Sequence, residues 1–208
     1  MDEIVTVSQG RLKGKRSVDG AVTAFRGIPF ALPPVGNLRW RAPQPLAAWT
    51  GTRDATHPKP IAIQQSMLGN SLLPFGTEHQ SEDCLYLNVW TASADAREQR
   101  PVIVWIHPGG FQFGSGSAPF FDGDAWAREG VVFVTLNYRL AKLGFLAQLQ
   151  ITRVEHSVHH VRAHIRFRSA LVVIHRNGGL PIHECVNTCH LAGQLNIGVR
   201  VVRPNGAD

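Results

Sequence analysis

Two apolar runs constrain the fold of this chain more than any other feature. PVIVWIH (101–107) and VVFVTLNYRL (131–140) are rich in β-branched residues, a pattern typical of strands that are buried on both faces. Between them, DGDAWARE (122–129) predicts a short helix that ends at Gly130. Strand, loop, helix and strand in this order predict a right-handed βαβ unit in a mostly parallel sheet.

Shorter strands are predicted before this unit. IVTV (4–7), GRLKGKR (10–16), AVTAFRGIPFA (21–31) and CLYLNVW (84–90) are separated by Gly and Asp-Gly turns or by proline-punctuated loops. We therefore assign residues 1–147 to one domain of the α/β class.

The residue usage changes after position 147. Seven of the ten histidines lie in 148–208, together with no tryptophan and no lysine, and Phe167 is the only aromatic residue there. Few aromatics and weak periodicity predict a poorly ordered segment. We interpret 148–208 as a divergent His/Arg-rich tail, either disordered or read out of frame.

The net charge of +6 and the pI of about 9.8 raise the question of an anionic partner. The Arg/His run 153–168 matches no nucleic-acid-binding module and has one aromatic residue, so we expect no nucleic-acid partner. No apolar run reaches the ~20 residues of a membrane-spanning helix, so no membrane partner is expected. The first residues lack the layout of a signal peptide, which favours a cytoplasmic location.

One segment of the tail contains zinc-competent side chains. HECVNTCH (183–190) supplies four of them: His183, Cys185, Cys189 and His190. The spacing is unlike that of common structural zinc motifs, and no second cluster accompanies it. We therefore expect neither a metal nor a cofactor.

The strand 101–107 runs directly into a glycine-rich turn, His107-Pro108-Gly109-Gly110. Glycine lets the backbone approach a ligand closely and adopt positive φ angles. Backbone N–H groups held in such a turn can stabilise an oxyanion. A plain glycine-rich turn is the alternative interpretation.

Four stretches carry a resemblance to a known family, and they are FRGIPFALPPVGNLRWRAPQP (25–45), SEDCLYLNVW (81–90), PVIVWIHPGGFQFGSGS (101–117) and VVFVTLNYRLAKLGFLA (131–147). Together they resemble the type-B carboxylesterase/cholinesterase family of α/β-hydrolases. The family is much longer, so the resemblance implies an incomplete α/β-hydrolase fold, namely its N-terminal part.

The resemblance also implies roles for individual residues. Gly109 and Gly110 would donate the oxyanion-hole hydrogen bonds. Pro108 stands where the family usually has a first glycine, and it would stiffen the loop rather than abolish the hole. His107 would shape the loop and not act as the general base. Cys84 has no upstream cysteine to pair with and would be a buried free thiol.

The nucleophile that should follow is missing. None of the ten serines has glycine at both −2 and +2, so the chain contains no G-x-S-x-G motif. In this fold the acid and histidine of the triad follow that serine, and we therefore expect no catalytic triad residue in the chain. The resemblance implies that full-length members of the family hydrolyse a small-molecule carboxylic ester by a serine acyl-enzyme mechanism. We expect this chain to be inactive. The alternatives are a non-catalytic interaction protein and a non-functional product of a disrupted gene.

The missing nucleophile strand has a consequence for the sheet. By resemblance it would lie beside 101–107, and without it that strand would present an open apolar edge. The sequence therefore predicts self-association through this edge. The tail run ALVVIH (170–175) could substitute there, although nothing in the sequence encodes its register.

Overall fold

The computed structural model of the protein describes residues 2–65, 79–146 and 170–174. The described residues contain eight strands and two short α-helices. The strands are β1 (Asp2–Val7), β2 (Gly10–Arg16), β3 (Thr23–Pro29), β4 (Thr52–Asp54), β5 (Tyr86–Thr91), β6 (Val102–Ile106), β7 (Val132–Leu136) and β8 (Ala170–Ile174), and the helices are α1 (Asp124–Arg128) and α2 (Ala141–Phe145).

All eight strands form one sheet. Its order is β1-β2-β3-β5-β7-β6-β8, and β4 pairs with β2 beside this path. The predicted βαβ unit is present, since β6 and β7 pair in parallel from Val102↔Val132 to Ile106↔Leu136, with α1 in the connection between them. The strands predicted at 84–90, 101–107 and 131–140 are therefore neighbours in the sheet.

The prediction of a mostly parallel sheet is wrong for the described residues. Only the pairs β6–β7 and β2–β4 are parallel, whereas all the other pairs are antiparallel. Hairpins with connections of two and six residues join β1 to β2 and β2 to β3, and a hairpin necessarily makes an antiparallel pair. A parallel pair requires a long crossover, and the segment with α1 supplies one between β6 and β7.

The central strands are buried on both faces, as their apolar runs predict. On one face, Val104 and Val134 belong to a cluster with Leu12, Phe25, Ala55, Leu87, Val89 and Leu136. On the other face, Ile103 and Phe133 pack with Val22, Trp90 and Ala127 of α1. Burying one such side chain stabilises the fold by about 1.5–3 kcal/mol, so these two clusters hold α1 and the central strands together.

The open edge expected at 101–107 is not present in the structure. β8 pairs with β6 in antiparallel fashion, from Ile106↔Ala170 to Val102↔Ile174. The sequence ALVVI has the β-branched, apolar character that suits a strand beside VIVWI. The outermost strand at this end is therefore β8, and self-association through β6 would require its displacement.

Apart from β8, the predicted tail 148–208 lies outside the described residues. Within the described part of the chain, no helix is long and apolar enough to cross a bilayer.

We expect Leu171→Pro and Val172→Pro to differ in their effect on the β6–β8 pair. Neighbouring residues of an antiparallel edge strand point their N–H groups alternately toward the paired strand and away from it, and proline has no N–H. One substitution therefore removes a ladder hydrogen bond worth about 1 kcal/mol, and the other does not. Amide hydrogen exchange of 102–106 should rise about fivefold in one variant only. Equal exchange in both variants would contradict the pairing.

Candidate functional site

The glycine-rich loop starts where β6 ends and turns sharply away from the sheet. Three consecutive residues have positive φ angles, namely Gly109 (138°), Gly110 (57°) and Phe111 (63°). The carbonyl oxygen of Gly109 accepts hydrogen bonds from the N–H groups of Gln112 (3.0 Å) and Phe113 (3.3 Å). These bonds close the turn on itself.

The two adjacent glycines are required for different reasons. A Cβ atom at Gly109 would lie 1.7 Å from the carbonyl oxygen of Phe113, so only glycine fits there. A Cβ atom at Gly110 would meet nothing within 4 Å, so that position is restricted by its φ angle alone. Gly110 therefore faces open space next to the turn.

The N–H groups of these glycines are available as donors. Among the described residues, no hydrogen bond uses the N–H of Gly109 or of Gly110. Successive backbone N–H groups in such a conformation form a concave site for an anion. The structure thus brings the two predicted oxyanion donors together beside open space.

His107 holds the near end of the loop. Its ring is 2% exposed and stacks on the Tyr138 ring, with centroids 4.3 Å apart. Its Nδ1–H donates to the carbonyl oxygen of Pro108 at 3.0 Å, and the hydroxyl of Tyr138 donates to the carbonyl oxygen of His107 at 3.0 Å. Burial lowers the pKa of His107 from 6.5 to about 4. The ring is therefore neutral at pH 7 and fixes the backbone on which the glycines follow.

Gln64 holds the far end of the loop. Its side-chain Oε1 accepts from the N–H of Gly114 at 2.7 Å, and its Nε2 donates to the carbonyl oxygen of Gly114 at 2.9 Å. A Cβ atom at Gly114 would lie 2.4 Å from both the Nδ1 of His107 and the carbonyl oxygen of Pro108. The two ends of the loop therefore meet closely at this glycine.

Two buried asparagines fix the backbone that follows. Asn137 accepts from the N–H of Gly116 at 2.8 Å, and Asn88 donates to the carbonyl oxygen of Gly116 at 3.3 Å. The hydroxyl of Thr135 donates to the same carbonyl at 2.6 Å. Sequence reasoning did not single out Gln64 or these asparagines. An asparagine inside the apolar strand CLYLNVW was the available signal, because a buried amide must find partners.

Ser115, next to the loop, is not placed to act as a nucleophile. Ser115 is fully buried, and its hydroxyl oxygen accepts from the N–H of Ser117 at 2.9 Å. Cys84 is a buried free thiol, as predicted, and burial raises its pKa to about 12. No cluster of three or more His, Cys, Asp or Glu side chains occurs in the described ranges, and 183–190 lie outside them.

Comparison with known proteins identifies the family. The model of the carboxylesterase family matches residues 1–153. This chain belongs to the carboxylesterase family. The match covers the loop, both of its fixed ends and every described strand except β8, so the family resemblance read from the four stretches is confirmed.

Individual relatives agree with this assignment. The chain is 48% identical over 136 residues to a fumonisin B1 esterase of Sphingopyxis macrogoltabida, covering 65% of this chain and 25% of that protein. It is 43% identical over 155 residues to a cholinesterase of Mus musculus, covering 70% and 25%. It therefore spans about a quarter of the length of these relatives.

Solved carboxylesterase structures superpose on about two thirds of this chain. A carboxylesterase of Geobacillus stearothermophilus superposes with a TM-score of 0.61 at 44% identity, covering 69% of this chain and 27% of that one. A PNB esterase superposes with a TM-score of 0.61 at 41% identity, covering 71% and 30%. The described sheet thus corresponds to one part of a larger carboxylesterase fold.

We expect Gly109→Ala to destabilise this carboxylesterase-family chain more than Gly110→Ala. At Gly109 the new Cβ would collide with the carbonyl oxygen of Phe113, which should cost about 2–4 kcal/mol. At Gly110 only the left-handed conformation is unfavourable, at about 1–2 kcal/mol. Urea unfolding of both variants measures the two losses. A larger loss at Gly110 would contradict the observed loop.

The stability of the chain should fall as the pH is lowered from 6.5 toward 4. Over this range a histidine in the unfolded chain takes up a proton, whereas His107, with its pKa lowered to about 4, does not. The unfolded state then binds more protons, so its free energy falls relative to the folded state.

The comparison of wild type with His107→Phe isolates this effect. Phenylalanine keeps a ring over Tyr138 but cannot be protonated. Between pH 7.5 and 4.5 the free energy of unfolding of the wild type should fall by about 2 kcal/mol more than that of the variant. An equal fall in both proteins would mean that His107 is protonated as easily in the folded chain as in the unfolded one.

Proposed function

We propose that residues 107–114 form the oxyanion-binding loop of a serine carboxylesterase, and that the N–H groups of Gly109 and Gly110 donate to the substrate oxygen. The observation that carries this proposal is the pair of adjacent N–H groups that have no partner among the described residues. The position that a Cβ atom of Gly110 would occupy is open, with nothing within 4 Å.

The chemistry of ester hydrolysis requires such donors. When a nucleophile attacks an ester, the carbonyl oxygen becomes an anion in the tetrahedral intermediate. Donors held at about 2.7–3.1 Å from that oxygen stabilise it, and the loss of one raises the barrier by about 3–4 kcal/mol. Pro108 cannot donate, but its carbonyl oxygen binds His107 and so helps to keep the loop in one conformation.

The substrate class follows from the family, whose members act on carboxylic esters. We propose a small-molecule carboxylic ester as the substrate of the complete enzyme. The nucleophile is not in these 208 residues, because none of the ten serines lies in a G-x-S-x-G motif. We therefore propose that the chain by itself does not turn over esters.

A non-catalytic interaction role is the second candidate. The observation that favours it is the absence of a G-x-S-x-G serine from the 208 residues that contain the glycine-rich turn. Under this alternative the loop would only shape the protein surface, and its N–H groups would take no part in catalysis.

A chimera separates the two candidates. Residues 2–146 replace the corresponding segment of the G. stearothermophilus carboxylesterase, whose remaining segments supply the rest of the protein. If the loop is an oxyanion site, the chimera hydrolyses p-nitrophenyl acetate, and Gly110→Val in the chimera lowers kcat about 10²–10³-fold. Hydrolysis is followed by release of p-nitrophenolate.

Gly20→Val is the matched control for this substitution. Gly20 also has a positive φ (71°) and open space at its Cβ position, but it lies in the turn between β2 and β3. Gly20→Val should leave the kcat of the chimera nearly unchanged. A folded chimera whose kcat is insensitive to Gly110→Val would favour the interaction role. Turnover by the 208-residue chain, lost on Gly110→Val, would overturn the proposal that the chain alone is inactive.

A further inference from the structure

The side-chain amide of Gln64 binds the oxyanion-binding loop from a different segment of the chain. Its Oε1 accepts a hydrogen bond from the N–H of Gly114 at 2.7 Å. Its Nε2 donates to the carbonyl oxygen of Gly114 at 2.9 Å and to that of Ala62 at 3.0 Å. An amide nitrogen carries two donor hydrogens. Both therefore have a partner, and the side chain is held in one orientation.

The backbone that carries Gln64 is fixed in turn. The N–H of Ile61 donates to the carbonyl oxygen of His79, and the N–H of Ser81 donates to the carbonyl oxygen of Ile61, both at 2.9 Å. The N–H of Gln64 donates to the Oε1 of Gln80 at 2.8 Å. The amide of Gln64 thus extends from an anchored segment and transmits the position of that segment to the loop.

Gly114 lies against the beginning of the loop. A Cβ atom at Gly114 would be 2.4 Å from both the carbonyl oxygen of Pro108 and the Nδ1 of His107, so only glycine allows this approach. The same carbonyl oxygen accepts a hydrogen bond from the Nδ1 of His107 at 3.0 Å. Two groups therefore hold the carbonyl oxygen of Pro108 in place, namely the ring of His107 and the backbone of Gly114.

The carbonyl oxygen of Pro108 belongs to the same peptide unit as the N–H of Gly109. This unit is trans, and a peptide unit is planar. In a planar trans unit the N–H points opposite to the C=O, so any group that fixes the oxygen of Pro108 also fixes the direction of the Gly109 N–H. That N–H is one of the two proposed oxyanion donors.

We propose that Gln64 is a positioning residue of the oxyanion-binding loop, which holds Gly114 against the carbonyl oxygen of Pro108 and so sets the direction of the Gly109 N–H. This inference rests on the proposed function, because the direction of the N–H affects the reaction only if the group donates to a substrate oxygen. An oxyanion exists only after the nucleophile has attacked. A misdirected donor should therefore lower kcat and leave KM nearly unchanged.

The first test uses the chimera described above. Gln64→Met keeps an unbranched side chain and removes both hydrogen bonds to Gly114. We expect kcat for p-nitrophenyl acetate to fall about tenfold, less than the 10²–10³-fold loss that removal of a whole donor causes. KM should change by less than about twofold. Far-UV circular dichroism and Tm establish that the variant is folded.

Gln64→Glu supplies a pH-dependent measurement. A neutral carboxyl group has one acceptor oxygen and one O–H donor, like the amide it replaces, whereas a carboxylate has acceptors only. The carbonyl oxygen of Gly114 therefore favours the neutral form and raises the pKa of the introduced carboxyl group. The ratio of the variant kcat to the wild-type kcat should rise about threefold as the pH falls from about 8 to about 5.5. The triad histidine of the chimera affects both proteins alike and cancels in this ratio.

Gln44 is the matched control. It is an exposed glutamine whose Nε2 donates to the carbonyl oxygen of Ala42 at 2.9 Å, within its own segment. Gln44→Met and Gln44→Glu should leave kcat and its pH dependence unchanged. A further measurement requires no catalysis. In the ¹⁵N-labelled 208-residue chain, Gln64→Met should shift the backbone amide signals of Gly109 and Gly114, and Gln44→Met should not.

The outcomes separate this inference from the proposed function. It is supported if Gln64→Met lowers kcat at constant KM and shifts the Gly109 signal. It is overturned if Gly110→Val lowers kcat and Gln64→Met does not, if the kcat ratio of Gln64→Glu is independent of pH, or if the Gly109 signal does not move. If Gln64→Met does not fold, the same criteria apply to Gln64→Glu. If Gly110→Val has no effect in a folded chimera, the proposed function is wrong and this inference falls with it.

Discussion

The side-chain amide of Asn88 connects the parts of the structure on which the loop depends. It is 3% exposed and lies in β5. Its Oδ1 accepts from the N–H of Gly27 at 2.9 Å, where β3 is irregular, and its Nδ2 donates to Thr135 at 3.0 Å and to the carbonyl oxygen of Gly116. One buried side chain therefore links β3, β5, β7 and the segment behind the loop. Each partner left unsatisfied would cost about 1–3 kcal/mol, so the network favours a single arrangement.

The loop between these points is held at both ends, while Gly110 at its centre is exposed. His107 and Tyr138 hold its beginning, and Gln64 holds Gly114 by two hydrogen bonds. No described residue binds the N–H groups of Gly109 and Gly110, because the turn is closed through the carbonyl oxygen of Gly109 instead. Donors that are fixed before a ligand arrives need no reorganisation when charge develops on it. Side chains of the described residues therefore bind the two ends of the loop, and none of them binds the backbone N–H groups of Gly109 and Gly110 at its centre.

The sequence predicts those elements that local patterns determine. The apolar runs identify β5, β6 and β7, and the stretch from Asp122 to Gly130 identifies α1, because burial and helix signals are properties of neighbouring residues.

Strand direction is different: β5 pairs with β7 in antiparallel fashion, from Leu87↔Leu136 to Trp90↔Phe133, although β6 lies between them in the sequence. Such a pairing depends on long connections that have no local signal. β4 is an exposed tripeptide that becomes a strand only because it pairs with β2. Near the loop, the glycine-rich turn is visible in the sequence, whereas the contact of Gln64 is not, since it depends on a backbone group fifty positions away.

The place of β7 between β5 and β6 has a consequence for synthesis on the ribosome. The chain emerges from its N-terminus, so both β5 and β6 leave the exit tunnel before the strand that joins them. The glycine turn also emerges before Thr135, Asn137 and Tyr138, three of the side chains that shape it. Until those residues appear, a nascent chain contains two apolar segments without their common neighbour and a turn without its supports, the kind of exposed surface that chaperones recognise. The turn is thus translated early but acquires its shape late.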